Sequence, residues 1–310
     1  MALIDDLLRL FGTSRVRLRW KWDNWQKGAR RRVEAAGDAV KPGKPIGYQP
    51  GGKSRLRRAL SAFIPDEFPL VTVGNLILIL VFFFATVKVS HDAAAASGES
   101  AGGLTPDTLQ LIRFGGQWGF LLLREGEWWR LVTAIFLHWD LLHLILNAVA
   151  LWVAGQAVED LFGRGRTMVI WLVTGVAGFA VSLWWKGDLD TTVGASGSVF
   201  GLIGAVIGHV ARYRGRTTQH LKDRFVPWLI FGVIWSFLPR VNGAAHVGGL
   251  AAGLVLGALM ADARMARRLP DWMWRVAGIA CVLAIVVAFW FAYRSPAAAQ
   301  LAPLFREATP

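Results

Sequence analysis

Ser196 lies in the run Gly194-Ala195-Ser196-Gly197 at the head of one apolar stretch, and His246 lies in Ala245-His246-Val247-Gly248-Gly249 at the head of another. Polar groups are costly to bury in hydrocarbon, so such side chains in membrane-grade segments are functional candidates. Serine and histidine are the minimal nucleophile and general base for acyl transfer. Together they imply a peptidase that works within the membrane. A second polar pair, His143 and Asn147, stands four residues apart and therefore shares one helix face. A helix starting after Gly194 would expose backbone N–H groups and the positive end of its dipole, both suited to a developing oxyanion.

Other chemistries find little support. The single cysteine, Cys281, allows no disulfide within the chain and no cysteine-based metal site. His-Glu-x-x-His does not occur, and the apolar segments lack a pair of aspartates. No metal and no cofactor are expected.

The elements that must position these residues are apolar helices. The chain has 310 residues, is 54% hydrophobic and has a mean hydropathy of +0.42. Seven apolar runs, at 70–89, 141–162, 168–185, 195–210, 225–238, 244–260 and 272–293, approach the ~20 residues needed to cross a bilayer. The fourth and fifth are the shortest. The net charge of +13 is uneven: residues 1–68 carry fifteen Lys and Arg against seven Asp and Glu. Basic clusters then follow alternate runs, at Arg164 and Arg166, at 212–224, and at 264–275. By the positive-inside rule the N-terminus is cytoplasmic and, with seven spans, the C-terminus is outside. Three regions are expected: a basic cytoplasmic region 1–68, a core 69–263, and a seventh helix with a short outer tail, 264–310. The alternation Arg15-Val16-Arg17-Leu18-Arg19-Trp20-Lys21-Trp22 suits a solvated tail or an anionic lipid surface, and nucleic acid is not expected as a partner. Residues 41–54 read as linker and 91–106 as an exposed loop.

This topology places His143 and Asn147, Ser196 and His246 near the outer ends of three inward-running spans. Chance would scatter them in depth, so one site is expected. Glycine explains how two of the spans could meet. Gly197, Gly201, Gly204 and Gly208 line the fourth, and Gly249, Gly253 and Gly257 line the sixth at four-residue spacing. Small residues at that spacing let helix backbones approach closely. Gly194 and Gly197 also permit a sharp turn at the serine. A leucine at Gly253 should push the two spans apart, whereas one at Gly278, in the seventh span, should be tolerated.

The ordered set resembles the rhomboid family of intramembrane serine proteases over residues 110–262. The family's Trp-Arg appears as Trp129 and Arg130, its His-x-x-x-Asn as His143 and Asn147, and its Gly-x-Ser-Gly as Gly194 to Gly197. Its Ala-His-x-x-Gly-x-x-x-Gly appears as Ala245, His246, Gly249 and Gly253. The resemblance implies an all-α polytopic fold, a six-helix core plus one C-terminal helix, with a Ser–His dyad lacking an acidic third member. Ser196 would be the nucleophile and His246 the base, with the oxyanion held by the Ser196 N–H, His143 and Asn147. It further implies a half-inserted loop over 105–138, with Arg130 bonding loop carbonyls, His138 as a structural hydrogen-bonding residue, and Glu159 anchoring the inner end of the second span. Where relatives often carry Tyr, this chain has Phe200, whose ring could still pack against His246.

Transmembrane proteins would be the substrates, cut near the outer face of what would be a bacterial inner membrane. The alternative is an inactive relative that binds membrane proteins, but such relatives lose the serine or histidine, and both are present. A transporter would normally carry carboxylates inside its spans, whereas Glu159 and Asp160 lie at a span's end beside basic residues.

Overall fold

The computed structural model describes residues 68–98, 103–189, 191–212, 216–238, 241–260 and 269–296. The basic N-terminal region, the 41–54 linker and the tail beyond residue 296 lie outside the described residues. Helices dominate: α1 (Leu70–Ala96), α2 (Thr108–Arg113), α3 (Gly119–Arg124), α4 (Arg130–Thr133), α5 (Leu141–Phe162), α6 (Arg164–Lys186), α7 (Ser196–Arg212), α8 (Arg216–Trp235), α9 (Gly243–Met260) and α10 (Asp271–Arg294). One small antiparallel pair, β1 (Gln117–Trp118) with β2 (Thr191–Thr192), aligns Gln117 with Thr192 and Trp118 with Thr191.

Contacts along the helices fix their directions. Residues Gly249 and Gly253 of α9 meet Gly197 and Gly201 of α7 in step, so these two helices run parallel. At one end of α5 the His143 ring lies against Gly194; at the other, Phe162 stands edge-on to His209 of α7 with ring centroids 5.5 Å apart. Thus α5, α7 and α9 all start at one end of the bundle. Helices α1, α6, α8 and α10 run the other way, as the alternating charge clusters require.

Five of these helices, α1, α5, α6, α9 and α10, are long and apolar enough to cross a membrane. Helix α7 is apolar but has 17 residues, about 26 Å of rise against a hydrocarbon core of about 30 Å. It is the shortest of the long apolar helices, one residue shorter than α9. Every residue from 197 to 206 is buried, as expected for a helix that is apolar all round. The fifth expected run, 225–238, belongs to a helix that starts earlier, at Arg216, and carries Lys222, Asp223 and Pro227 before its apolar half. Helices α1, α5, α6, α7, α8 and α9 form the six-helix core, and α10 is the additional one.

Two expectations need correction. Residues 91–96 were expected in a loop but continue α1 to Ala96, because a run of alanines favours helix more strongly than its low hydropathy suggests. Gly278 was expected to accept a leucine, but it is buried, and a Cβ there would stand 3.0 Å from Gly165 Cα. Helix α10 is therefore clamped onto α6 through two glycines. The clamp is reinforced by Arg166, which pairs with Asp271 at 2.9 Å and lies 5.1 Å from the Trp274 ring centre. Higher up, Phe289 stacks on Phe82 of α1 with centroids 3.9 Å apart.

Candidate active site

Gly194 starts the site. Its φ of +134° lies in the region L side chains avoid, and a Cβ there would stand 2.6 Å from His143 Cε1. Only glycine fits both demands. The segment is held by Gly194 N–H donating to the Ala134 carbonyl at 2.9 Å and Ala195 N–H donating to His138 Nε2 at 3.4 Å. His138 is fully buried and tilts against the His143 ring, with centroids 5.0 Å apart. The β1–β2 pair fastens the preceding loop to the same segment. Ser196 then opens α7, so its backbone N–H is one of the first-turn donors without an intrahelical partner.

His246 opens α9, one helical turn above the Gly249 contact. Its ring lies face to face with Phe200, with centroids 4.2 Å apart and planes 13° from parallel. Phe200 is four residues after Ser196, on the same face of α7, so the imidazole is carried to the serine's side of that helix. Ser196 is half-buried, and among the described residues its hydroxyl makes no hydrogen bond to His246. The backbones beneath are in contact: a Cβ on Gly249 would stand 3.1 Å from Gly197 Cα, and one on Gly253 2.8 Å from Gly201 Cα.

Asp140 caps α5 by accepting from His143 N–H at 2.8 Å, which fixes the turn bearing His143 and Asn147. Asn147 is buried and donates from Nδ2 to the His143 carbonyl at 2.9 Å. An amide nitrogen carries two hydrogens, so this bond sets the rotamer and leaves the second available for a ligand oxygen.

The remaining sequence candidates make packing and hydrogen-bond contacts around these residues. Arg130 is fully buried, donates from Nη1 to the carbonyls of Ile112 (2.6 Å) and Gly116 (3.0 Å), and pairs through Nε with Glu127 at 2.6 Å. Its guanidinium lies 4.5 Å from the Trp129 ring centre. Glu127 also accepts from Ser295 just past α10, so the additional helix reaches this loop. At the far end of α5, Glu159 accepts from Val71 N–H (3.1 Å), Thr72 N–H (3.1 Å) and the Thr72 hydroxyl (3.0 Å), supplying the first-turn acceptors of α1. The sequence reading missed two residues. Asn242 caps α9, accepting from Ala245 N–H at 3.2 Å and donating to Ser182 Oγ at 2.5 Å; an Asn just before an apolar run is a legible cap signal. Ser236, 2.5 Å from His246 Nδ1, left no signal in sequence.

Comparison with known proteins bears on the family. The profile of the Rhomboid domain matches residues 125–263. A relative named Rhomboid protease GluP, from Bacillus subtilis strain 168, is 33% identical over 163 residues, 52% of this chain and 31% of that protein. RHOMBOID-like protein 5 of Arabidopsis thaliana is 35% identical over 141 residues, 44% of this chain and 45% of that one. YdcA of Bacillus subtilis, also named as a rhomboid, is 33% identical over 137 residues, which cover 44% of this chain and 68% of YdcA. The chain belongs to the rhomboid family. It spans less than half the length of the first two relatives and about two thirds of the third. The sequence motifs of this rhomboid fall on α4, α5, α7 and α9 or on the turns that lead into them.

Proposed function

We propose that this rhomboid is an intramembrane serine endopeptidase that cuts transmembrane proteins near the outer membrane face. The stacking of His246 on Phe200, one turn from Ser196, carries the reading, because it holds a base beside a nucleophile on helices that touch through glycine. In the reaction, Ser196 Oγ attacks the scissile carbonyl carbon while His246 Nε2 takes the hydroxyl proton. Their hydrogen bond forms as substrate closes the site, since catalytic hydrogen bonds are often long before substrate binds. The carbonyl electrons move to oxygen, which accepts from the Ser196 N–H, the second Asn147 hydrogen and His143. Removal of one such donor typically costs ~2.7–4 kcal/mol of transition-state stabilisation. The C–N bond breaks as His246 returns the proton to the leaving amine. Water, deprotonated by the same ring, then attacks the acyl carbon, and the ester C–O bond breaks as His246 returns that proton to Ser196 Oγ.

The start of α7 fits this chemistry. Ser196 is its first residue and is half-buried, so a bond presented there can meet water. The scissile segment must be extended, so helix-breaking residues near the cut and a small residue before it are expected. Charge distribution supports a cytoplasmic N-terminus and an outside C-terminus.

The test uses the full chain purified in detergent with a single-span substrate. Ser196→Ala and His246→Ala should each abolish cleavage while still inserting into the membrane, and a fluorophosphonate should label wild type but not Ser196→Ala. Cleavage retained by either purified variant would falsify the dyad. A wild type that binds the substrate without cutting it would support the inactive-relative reading instead.

A further inference from the structure

We propose that Ser236 is a positioning residue that holds His246 in the tautomer a general base needs. This rests on the peptidase reading above. Ser236 follows the last turn of α8, and its backbone N–H donates to the Gly232 carbonyl at 3.0 Å. Its hydroxyl makes two contacts: Oγ lies 2.7 Å from the Gly232 carbonyl oxygen and 2.5 Å from His246 Nδ1. A hydroxyl has one proton and two lone pairs. The Gly232 oxygen can only accept, so it takes the Ser236 proton. The Ser236 oxygen is then left as an acceptor, and His246 Nδ1 must carry the hydrogen that points at it.

A neutral imidazole protonated on Nδ1 has its lone pair on Nε2, and the bond made by one ring nitrogen sets the role of the other. His246 would therefore present Nε2 as a base. When Nε2 takes the Ser196 proton, the ring becomes an imidazolium that still donates from Nδ1 to Ser236. The bond is then charge-assisted and stronger in the transition state than before it. In the serine proteases of water-soluble folds, a buried carboxylate orients the histidine in this way; here the orienting acceptor is neutral, which avoids placing a charge in the membrane.

The neighbours fix the remaining freedom. Phe200 sets the plane of the imidazole and Ser236 its rotation within that plane. Gly232 packs on the same Phe200 ring, where a Cβ would stand 2.6 Å from Cζ. Gly243, at the start of α9, comes against the Ser236 carbonyl, where a Cβ would stand 3.1 Å from the oxygen. Gly232 in the last turn of α8 and Ser236 just past it thus touch the Phe200 ring and the His246 imidazole respectively.

Two measurements test the assignment on the full chain in detergent. The first reads ring nitrogens by 15N NMR of histidine-labelled protein, with the His246 signals identified by their loss in His246→Ala. Wild type should show His246 protonated on Nδ1, and Ser236→Ala should shift it toward Nε2. The second is kinetic. Ser236→Ala should lower kcat about 10- to 10²-fold, the range for one hydrogen bond to a charged group, with KM and melting temperature little changed. Fluorophosphonate labelling of Ser196 should slow in parallel, and Ser236→Thr, which keeps a hydroxyl, should restore much of the rate. An Nε2-protonated ring in wild type, or a Ser236→Ala protein with full kcat and an unmoved tautomer, would overturn the proposal. The NMR arm does not depend on turnover: an inactive wild type with the Nδ1 tautomer would refute the peptidase reading and leave the Ser236–His246 assignment standing.

Discussion

Substitution of Gly253 tests the idea that glycine contact builds the site. A Cβ at 253 would stand 2.7 Å from the Gly201 carbonyl carbon and 2.8 Å from its Cα. Nonbonded carbons settle at about 3.5–4.0 Å, so one methyl group must part the two backbones by roughly 1 Å. The obstacle is main chain, which cannot rotate aside. Both Ser196 and His246 lie beyond this contact, on the two helices it would separate. A misplacement of 1 Å can cost about 10²-fold in rate. Gly253→Ala should therefore lose about that factor in turnover while still inserting, and Gly253→Leu should be nearly inactive and destabilised by about 1–3 kcal/mol or more from overpacking. Val255, 57% exposed on the outward side of α9, supplies the control, and Val255→Leu should be neutral. The assay is detergent-solubilised protein, with melting temperature and cleavage of a single-span substrate measured on the same preparation. Wild-type turnover and unchanged melting in Gly253→Leu would show that α7 and α9 do not meet along this face.

Two further predictions concern the oxyanion donors and the loop. Asn147→Ala should lower kcat about 10- to 10³-fold with little change in KM, because the donor acts mainly in the transition state; a raised KM with unchanged kcat would assign Asn147 to substrate binding. Arg130→Met leaves Glu127 and the carbonyls of Ile112 and Gly116 without their buried partner. Breaking such a pair typically costs ~3–5 kcal/mol, so melting should fall sharply, and unchanged melting would remove Arg130 from the scaffold.

Much of this protein was legible in its sequence. The positions of the long apolar helices, their alternating direction and the four-residue glycine rhythm follow from local pattern, because hydropathy and charge act on each segment by itself. The shared end of His143, Asn147, Ser196 and His246 followed from topology alone, and the cap at Asn242 was readable although it was not read. Tertiary structure decided the rest. Gly278 looked like any small residue in a lipid-facing helix until its partner, Gly165, was brought against it from a distant part of the chain. The extension of α1 to Ala96 depended on alanine's preference for helix, which a hydropathy reading does not weigh. Ser236 carries no motif: its role depends on how the end of α8 packs against the start of α9, and on a single proton shared out between a carbonyl and a ring nitrogen. Periodicity in sequence tells which face a helix buries. Which atom meets which across two helices depends on their crossing, and that is fixed only when both backbones are packed.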